Sequence, residues 1–336
     1  MCIIMKKTFR SICLFLTAVL CLALFVGCGR KKGEPPISTS DKKVVMTLGG
    51  YNVTHDFYRY LFLNTKFFYD NGDDTYWQQE GNDIEKIKDY VMESLKSTYA
   101  MFTLADKYEI NLSKDDIAYI KSTVEESKAN YTEEEFAKEM ADAYMSEELY
   151  TFILKIQTLE TLVYEYITAE DSNIIVADKN TVDKAIQNDF VRATHILFTF
   201  DNDADKQLKL SEAEKVLERL KKGEDFETLK EEYGKDTNLK NNKDGYYFTH
   251  GVYKNDFEYT TFELEIGEIS DIVTTENGFH IIKRLPIEQE YINKNYSDIL
   301  SQFVTSQYYK ILDETKNGLK AEFKDGYKNI DFNTFK

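Results

Sequence analysis

The stretch Val191-Arg192-Ala193-Thr194-His195-Ile196-Leu197-Phe198 is where the hydrophobic pattern of this chain changes. Its residues alternate between two sides with a period of two, which predicts a short strand with both faces partly buried. Residues 54–170 and the residues after Pro286 show instead the three- and four-residue spacing of amphipathic helices. The stretch therefore predicts that a sheet-containing unit begins here, between two helical segments.

The segment 190–286 is predicted to be one compact α+β domain, because it mixes strands and helices over a short length. After the first strand, the pattern predicts helices at 211–222, 225–233 and 257–265, and strands at 269–274 and 279–284. A loop rich in Asn, Lys and Gly lies between the second and third of these helices. The whole is expected to form a small antiparallel sheet with helices packed on it.

The flanking segments 44–189 and 287–336 are predicted to be helical. Thr54, Ser113 and Thr132 each precede acidic residues at the start of a helical pattern, as N-cap residues do. We expect the two flanks to pack together into one discontinuous helical domain. The predicted fold class is therefore α+β, with the sheet-containing domain inserted into a helical one.

The amino terminus has the features of a secretory signal peptide at residues 1–27. Lys6, Lys7 and Arg10 precede an almost wholly apolar core, in the order that such signals require. The core ends in Leu24-Phe25-Val26-Gly27-Cys28, which resembles a bacterial lipobox and predicts lipidation of Cys28. An uncleaved anchor and soluble secretion are the alternatives, although this core is short for a bilayer span. Residues 28–43 are polar, and we expect them to form a tether.

The composition excludes several classes of function. The formal charge is −17 and becomes −20 when the three cations of the signal are removed, which disfavours binding to nucleic acid. All four cysteines lie at or before Cys28, so a mature chain that begins there has no internal disulfide, catalytic thiol or cysteine-based zinc site.

Four short motifs, in order and in spacing, resemble those of the parvulin prolyl isomerases over residues 190–285. They are Ala193-Thr194-His195-Ile196-Leu197, Gly223-Glu224-Asp225-Phe226, Gly267-Glu268-Ile269-Ser270 and Gly278-Phe279-His280-Ile281-Ile282-Lys283. The flanks resemble, more weakly, the helical chaperone domain of extracellular foldase lipoproteins and periplasmic chaperones. That part of the resemblance rests on the opening Gly49-Gly50-Tyr51-Asn52-Val53-Thr54-His55-Asp56-Phe57.

The resemblance implies a set of site residues. His195 and His280 would be the paired imidazoles beneath the pocket, and Asp236 would lie close to the substrate carbonyl as the third catalytic residue. The substrate-binding residues would be Phe257, which contacts the proline ring, together with Tyr253, Thr275 and Phe248. Rotation about an Xaa-Pro bond needs an apolar pocket for the ring and polar groups near the carbonyl, with no covalent intermediate, metal or cofactor.

Two positions depart from the family pattern. Tyr253 replaces a pocket methionine, and Lys243-Asp244-Gly245 stands where a leucine is usual, so we expect Gly245 to leave one side of the pocket without a side chain. The segment Asp201-Asn202-Asp203-Ala204-Asp205-Lys206 is expected to be a loop after the first strand. Its carboxylates argue against a phosphorylated substrate.

The sequence thus predicts a peptidyl-prolyl cis-trans isomerase, anchored by lipid at the outer face of the cell membrane, that assists the folding of secreted proteins. Its partners would be unfolded or partly folded polypeptides with Xaa-Pro bonds, and a homodimer is left open. The alternative is a non-catalytic holdase whose parvulin domain only binds. A structural or solute-binding lipoprotein is disfavoured, because no large α/β sheet pattern is present.

Overall fold

The computed structural model describes residues 36–41, 43–79, 81–200, 202–241, 244–253 and 255–335. The predicted signal peptide, Cys28 and most of the predicted tether lie outside these ranges. The described residues fall into two compact units, one containing the residues up to Ile167 together with those from Ile311 onward, and the other Thr168–Lys310. Across the described ranges, no helix combines the length and the apolar character needed to cross a bilayer.

A β-hairpin opens the described part of the first unit. Strand β1 (Val44–Leu48) pairs antiparallel with β2 (Tyr51–Thr54) across the turn Gly49-Gly50, whose residues have φ of +60° and +89°. Such backbone angles cost little only for glycine.

Helices make up most of the rest of this unit, and the three predicted N-cap residues each stand directly before a helix. Ser113 and Thr132 form capping boxes, in which the side chain accepts a backbone N–H and an acidic residue returns the bond. Thr54 is the N-cap residue of the first helix, as predicted, but its hydroxyl bonds to the Asp56 carboxylate and makes no capping bond to a backbone N–H of the helix. The helices are α1 (His55–Asp70), α2 (Ile84–Lys107), α3 (Lys114–Lys128), α4 (Glu133–Asp142) and α5 (Glu147–Thr168).

The second unit mixes helices and strands. In chain order they are α6 (Lys179–Asp189), β3 (Phe190–Phe198), α7 (Asp203–Lys221), α8 (Phe226–Tyr233), α9 (Thr237–Asn241), β4 (Tyr246–Thr249), α10 (Asp256–Glu263), β5 (Ile269–Thr275), β6 (Gly278–Leu285) and α11 (Gln289–Lys294). Helix α12 (Tyr296–Asn317) crosses the boundary at Lys310, and β7 (Ala321–Phe323) pairs with β1 in the first unit.

The sheet of the second unit has its described strands in the order β4-β3-β6-β5, all antiparallel to their neighbours. Strand β3 lies inside the sheet and is buried at all nine positions. Because successive side chains of a strand point to opposite faces, β3 needs apolar cover on both sides.

Three clusters of apolar side chains provide that cover. One face of the sheet packs on α7 and α8, with Ile196 and Phe198 of β3 in that cluster. The opposite face packs on α10, with Val191 and Ala193 of β3 in contact with it. A third cluster joins α6, α11 and α12 to Phe190 and to β4.

Arg192 is a charged residue on this central strand, and its side chain is only 8% exposed. Its guanidinium donates to the backbone carbonyls of Asp244 and Pro286, at 2.5 and 3.1 Å, and forms an ion pair with Glu288. The buried charge is therefore paired and hydrogen-bonded, as burial of a guanidinium requires.

The second unit is wider than the predicted segment 190–286. Helices α6 and α11 and the first part of α12 belong to it, and Val182, Ile186 and Phe303 lie in one apolar cluster with Phe190. The predicted helical flanks 44–189 and 287–336 therefore each lose a part to the second unit. Within the predicted Asn- and Lys-rich loop, the structure places α9 and β4.

Candidate active site

Two histidines lie on one face of the four described strands of this sheet. In the pairing of β3 with β6, Leu197 is opposite His280 and His195 is opposite Ile282, so His195 and His280 are diagonal neighbours. They are 5% and 4% exposed, and their Nδ1 atoms are 2.9 Å apart. The register of two strands therefore fixes the imidazole pair.

Asp236 extends this pair beyond the sheet. The backbone N–H of Lys235 donates to the Leu197 carbonyl at 3.0 Å, which holds this segment against β3. Oδ2 of Asp236 lies 2.7 Å from Nε2 of His195 and 2.6 Å from the Tyr246 hydroxyl. Its other carboxylate oxygen accepts the Asn238 backbone N–H at 2.8 Å.

These hydrogen bonds decide the charge of Asp236. Burial by itself would raise the pKa of this carboxyl, but the hydrogen bonds from His195, Tyr246 and the Asn238 N–H outweigh burial and hold its pKa well below the ordinary value. The group is therefore ionised at neutral pH and can only accept hydrogen bonds. It follows that Nε2 of His195 carries the hydrogen shared with Asp236.

The remaining protons of the pair can then be assigned. When His195 is neutral, its Nδ1 accepts from the Nδ1–H of His280, and Nε2 of His280 accepts from the Thr275 hydroxyl at 2.8 Å. Burial, and then the charge on His195, lower the pKa of His280 to about 3, so His280 is neutral at physiological pH. With His195 neutral, the hydrogen bonds thus run in one direction, from Thr275 through His280 and His195 to Asp236.

Aromatic rings cover the imidazole pair. The ring of Phe257, on α10, has its centroid 5.2 Å from that of His195 and 5.4 Å from that of His280. Tyr253 stands nearly perpendicular to Phe257 and Phe248, with centroids 5.6 and 5.0 Å away. Phe248 and Phe257 are buried and Tyr253 is 38% exposed, so Tyr253 forms the outer part of this aromatic wall (Phe248, Tyr253, Phe257).

Glu258 fixes the loop that carries Tyr253. Its carboxylate is buried and accepts the backbone N–H groups of Gly251 and Tyr253 at 2.7 and 2.9 Å. Since Phe257 and Glu258 are neighbours on α10, this helix carries one ring of the aromatic wall and also holds the loop that carries Tyr253.

Gly245 does not remove a side of the pocket, so that prediction is wrong. Its φ is +79°, and a Cβ at this position would lie 2.5 Å from the Ala193 carbonyl oxygen and 3.7 Å from Leu285. A side chain here would meet the backbone of β3 rather than the aromatic wall. Glycine is required where β4 starts, because the chain adopts a left-handed conformation against the neighbouring strand.

The acidic segment after β3 is also not the predicted loop. From Asp203 onward it is part of α7, and Asn202 precedes this helix with its side chain accepting the Asp205 N–H at 3.0 Å. Asn is a favourable N-cap residue, which explains the early start of the helix. Asp201 lies outside the described residues. The expectation that the substrate is not phosphorylated rests on charge and stays a prediction.

The structure brings together the seven site residues named from the sequence within the second unit. They form the hydrogen-bonded chain and the aromatic wall, and are His195, Asp236, His280, Phe248, Tyr253, Phe257 and Thr275. Their roles in binding and catalysis remain proposals. Among the residues that the structure describes, no group of three or more His, Cys, Asp or Glu side chains is placed to hold a metal ion.

Two polar residues of this site, Tyr246 and Glu258, were not predicted from the sequence. Tyr246 precedes Phe248 by two residues, and this spacing puts both on one face of a strand. That signal needed β4 to be recognised first.

Comparisons with known proteins show which families this chain resembles. Residues 195–285 match the family model described as Rotamase, PPIC-type PPIASE domain, and all seven site residues lie inside that range. The chain is 28% identical to Foldase protein PrsA of Caldanaerobacter subterraneus subsp. tengcongensis, over 91% of this chain and 92% of the relative. It is 36% identical to Foldase protein PrsA of Bacillus subtilis, over 39% of this chain and 44% of the relative. The crystal structure of PrsA from Bacillus subtilis aligns with 69% of this chain and 84% of its own, at 24% identity and a TM-score of 0.26.

Proposed function

We infer that this protein, whose residues 195–285 are a PPIC-type peptidyl-prolyl isomerase domain, is a foldase that isomerises Xaa-Pro bonds. The resemblance to PrsA foldases along most of the chain supports the same function. The observation that carries the proposal is the hydrogen-bonded chain Thr275-His280-His195-Asp236 beneath the aromatic wall.

The chemistry of the reaction fits this arrangement. An Xaa-Pro bond rotates slowly because its C–N bond has partial double-bond character, with a barrier of about 18–20 kcal/mol. In the proposal, the aromatic wall binds the proline ring and takes the bond out of water. The ionised Asp236 beside the carbonyl disfavours the resonance form with negative charge on oxygen, and so weakens the double-bond character.

The imidazole pair has a supporting role in this proposal. A buried carboxylate is retained only if it is hydrogen-bonded, and His195 supplies one of its donors. His195 is held by Asp236 at Nε2 and by His280 at Nδ1. His280 is itself held by the hydrogen bond that it accepts from Thr275. Three hydrogen bonds from protein groups therefore hold the carboxylate in position for a substrate.

Exchange spectroscopy by NMR on a short Xaa-Pro peptide tests the activity directly. Protein lacking residues 1–27 should speed cis/trans exchange, which takes tens to hundreds of seconds unaided. If the folded protein leaves the exchange rate of every Xaa-Pro peptide unchanged, isomerase activity is ruled out.

Holdase activity without catalysis is the second candidate, and exposed aromatic side chains in the first unit favour it. Phe68 is 80% exposed and Tyr119 is 60% exposed, so both rings are accessible to an unfolded chain. Suppression of the aggregation of an unfolded protein measures this activity, and it can exist beside isomerisation.

Lipid anchoring at the extracytoplasmic face belongs to the same proposal. It is supported by the apolar signal core that ends at Gly27-Cys28. Cys28→Ser should release the protein from membranes, and retention of the variant in the membrane fraction with its signal uncleaved would contradict the lipobox.

The sequence leaves open whether two copies of the chain associate into a homodimer. Sedimentation velocity measures this association.

A further inference from the structure

Tyr246 donates a hydrogen bond to the same oxygen of Asp236 that His195 contacts. Its hydroxyl lies 2.6 Å from Oδ2 of Asp236, and its ring centroid lies 5.7 Å from that of His195 at an interplanar angle of 79°. Strand β4 places it there, because Tyr246 is opposite Ala193 in the pairing with β3. Tyr246 is thus fixed by the sheet on one side and by the carboxylate on the other.

The hydroxyl of Tyr246 is protonated at neutral pH and can therefore act as a donor. Burial, and then the hydrogen bond and charge of Asp236, raise the pKa of Tyr246 above its ordinary value. An ionised carboxylate accepts only, so the direction of this bond is settled. With two donors on Oδ2 and the Asn238 N–H on Oδ1, the plane of the carboxylate is defined.

The position of this carboxylate controls the imidazole pair. As long as Asp236 accepts from Nε2 of His195, the only proton between the two Nδ1 atoms of a neutral pair belongs to His280. If the carboxylate rotated or took up a proton, His195 could place its hydrogen on Nδ1 instead. The direction of the whole hydrogen-bonded chain would then no longer be fixed.

We propose that Tyr246 is a positioning residue, whose hydroxyl holds the Asp236 carboxylate in the orientation that keeps the His195 hydrogen on Nε2. The expected effect of Tyr246 on the rate rests on the proposed isomerase function, whereas its expected effect on the His195 tautomer does not. The titratable groups that face Asp236 are His195 on β3, His280 on β6, Tyr246 on β4 and Tyr253 in the loop before α10.

Tyr246→Phe tests the proposal, because the substitution keeps the ring contacts with Tyr253 and Phe257 and removes only the hydroxyl. Tyr247→Phe is the matched control. Tyr247 is the next residue of β4, on the opposite face, where its ring stacks on Tyr291 with centroids 3.8 Å apart. The control removes a hydroxyl from the same strand without changing the donors to Asp236.

Three readouts are compared for the protein without residues 1–27. In Tyr246→Phe, kcat for a short Xaa-Pro peptide should fall about 3- to 10-fold while KM stays near the wild-type value, since the aromatic wall is intact. The acid limb of the rate profile should move to higher pH, because the carboxylate has lost a donor. Nitrogen NMR shifts of His195 should show that the hydrogen on Nε2 is partly lost. Tyr247→Phe should match the wild type in all three.

The outcomes separate this proposal from the proposed function. A folded Tyr246→Phe variant with wild-type rate, acid limb and His195 shifts overturns the positioning role. A variant that loses stability and activity but keeps the His195 shifts also overturns it, since the hydroxyl then serves the fold alone. If the wild type itself is inactive on every peptide, the isomerase proposal fails, and the nitrogen shifts by themselves decide whether Tyr246 controls the tautomer.

Discussion

Gly245 has a φ of +79° and lies against the Ala193 carbonyl oxygen, so the start of β4 depends on the absence of a side chain. Replacement by alanine combines an unfavourable backbone angle with a steric clash. We expect Gly245→Ala to lower the free energy of unfolding by about 2–4 kcal/mol, measured by denaturant titration.

Gly267→Ala is the matched control for this prediction. Gly267 also has a positive φ, of +91°, but a Cβ there would have no atom within 4 Å. Its replacement should cost about 1 kcal/mol, which isolates the backbone contribution. Equal losses for the two variants would mean that contact with β3 does not matter.

The imidazole of His280 makes the stability of the second unit sensitive to acid. Burial, and then the charge on His195, lower its pKa from 6.5 to about 3. Between these values the unfolded chain binds a proton that the folded chain does not, so the free energy of unfolding decreases as pH falls below 6.5, by up to about 1.4 kcal/mol per pH unit. Above pH 6.5 this contribution is complete and constant.

Urea titrations at a series of pH values measure this dependence. His280→Gln should flatten the slope between pH 6.5 and 4, whereas His250→Gln, which removes a side chain that is 63% exposed, should follow the wild type. A wild-type slope in the His280→Gln variant would show that another group binds the proton.

Helix α10 holds the loop before it through the carboxylate of Glu258. Glu258 accepts two backbone N–H groups of that loop, and a glutamine could accept only through its one oxygen. In Glu258→Gln we expect peptide binding to weaken about 3- to 10-fold, with a smaller change in kcat, because Tyr253 is displaced relative to Phe257.

Glu263→Gln is a suitable control, since it makes the same substitution at an exposed position of the same helix. Titration of each variant with an Xaa-Pro peptide, followed by NMR, gives the dissociation constants. Unchanged binding by a folded Glu258→Gln variant would show that the loop holds its position without this carboxylate.

The elements differ in how well the sequence predicted them. Strands β3, β5 and β6 were predicted to within about one residue at each end, because their apolar residues are continuous or alternate clearly. Strand β4 was missed, since it has four residues and follows a polar, glycine-containing stretch. The hairpin of β1 and β2 was not predicted as a pair of strands.

The residues of the site also differ in how well they were predicted from the sequence. His195, Asp236 and His280 were found through a family resemblance, and the strand register explains why they meet. The contributions of Tyr246 and Glu258 depend on a short strand and on a loop bent onto a helix. Local patterns carry little information about such contacts, because they follow from packing rather than from periodicity.

The boundaries of the second unit within the whole molecule can be tested by expressing segments of different length and comparing their melting temperatures. We expect 168–310 to unfold cooperatively and at a higher temperature than 190–286, which was predicted from the sequence to fold alone. The longer segment keeps Val182, Ile186 and Phe303 in the apolar cluster that contains Phe190. Burial of each large apolar side chain contributes about 1.5–3 kcal/mol to stability. Equal melting temperatures by circular dichroism would show that α6 and α12 add nothing to this unit.

In the proposed mechanism, the Asp236 carboxylate, held by the hydrogen bond from His195, accelerates isomerisation. The most direct test is the NMR exchange rate of a short Xaa-Pro peptide with Asp236→Ala protein, beside Asp271→Ala as a control in which a side chain that is 83% exposed is removed. We predict that Asp236→Ala slows catalysed exchange by at least about 10-fold while Asp271→Ala leaves it unchanged. If a folded Asp236→Ala protein catalyses exchange at the wild-type rate, the proposed role of the Asp236 carboxylate is contradicted.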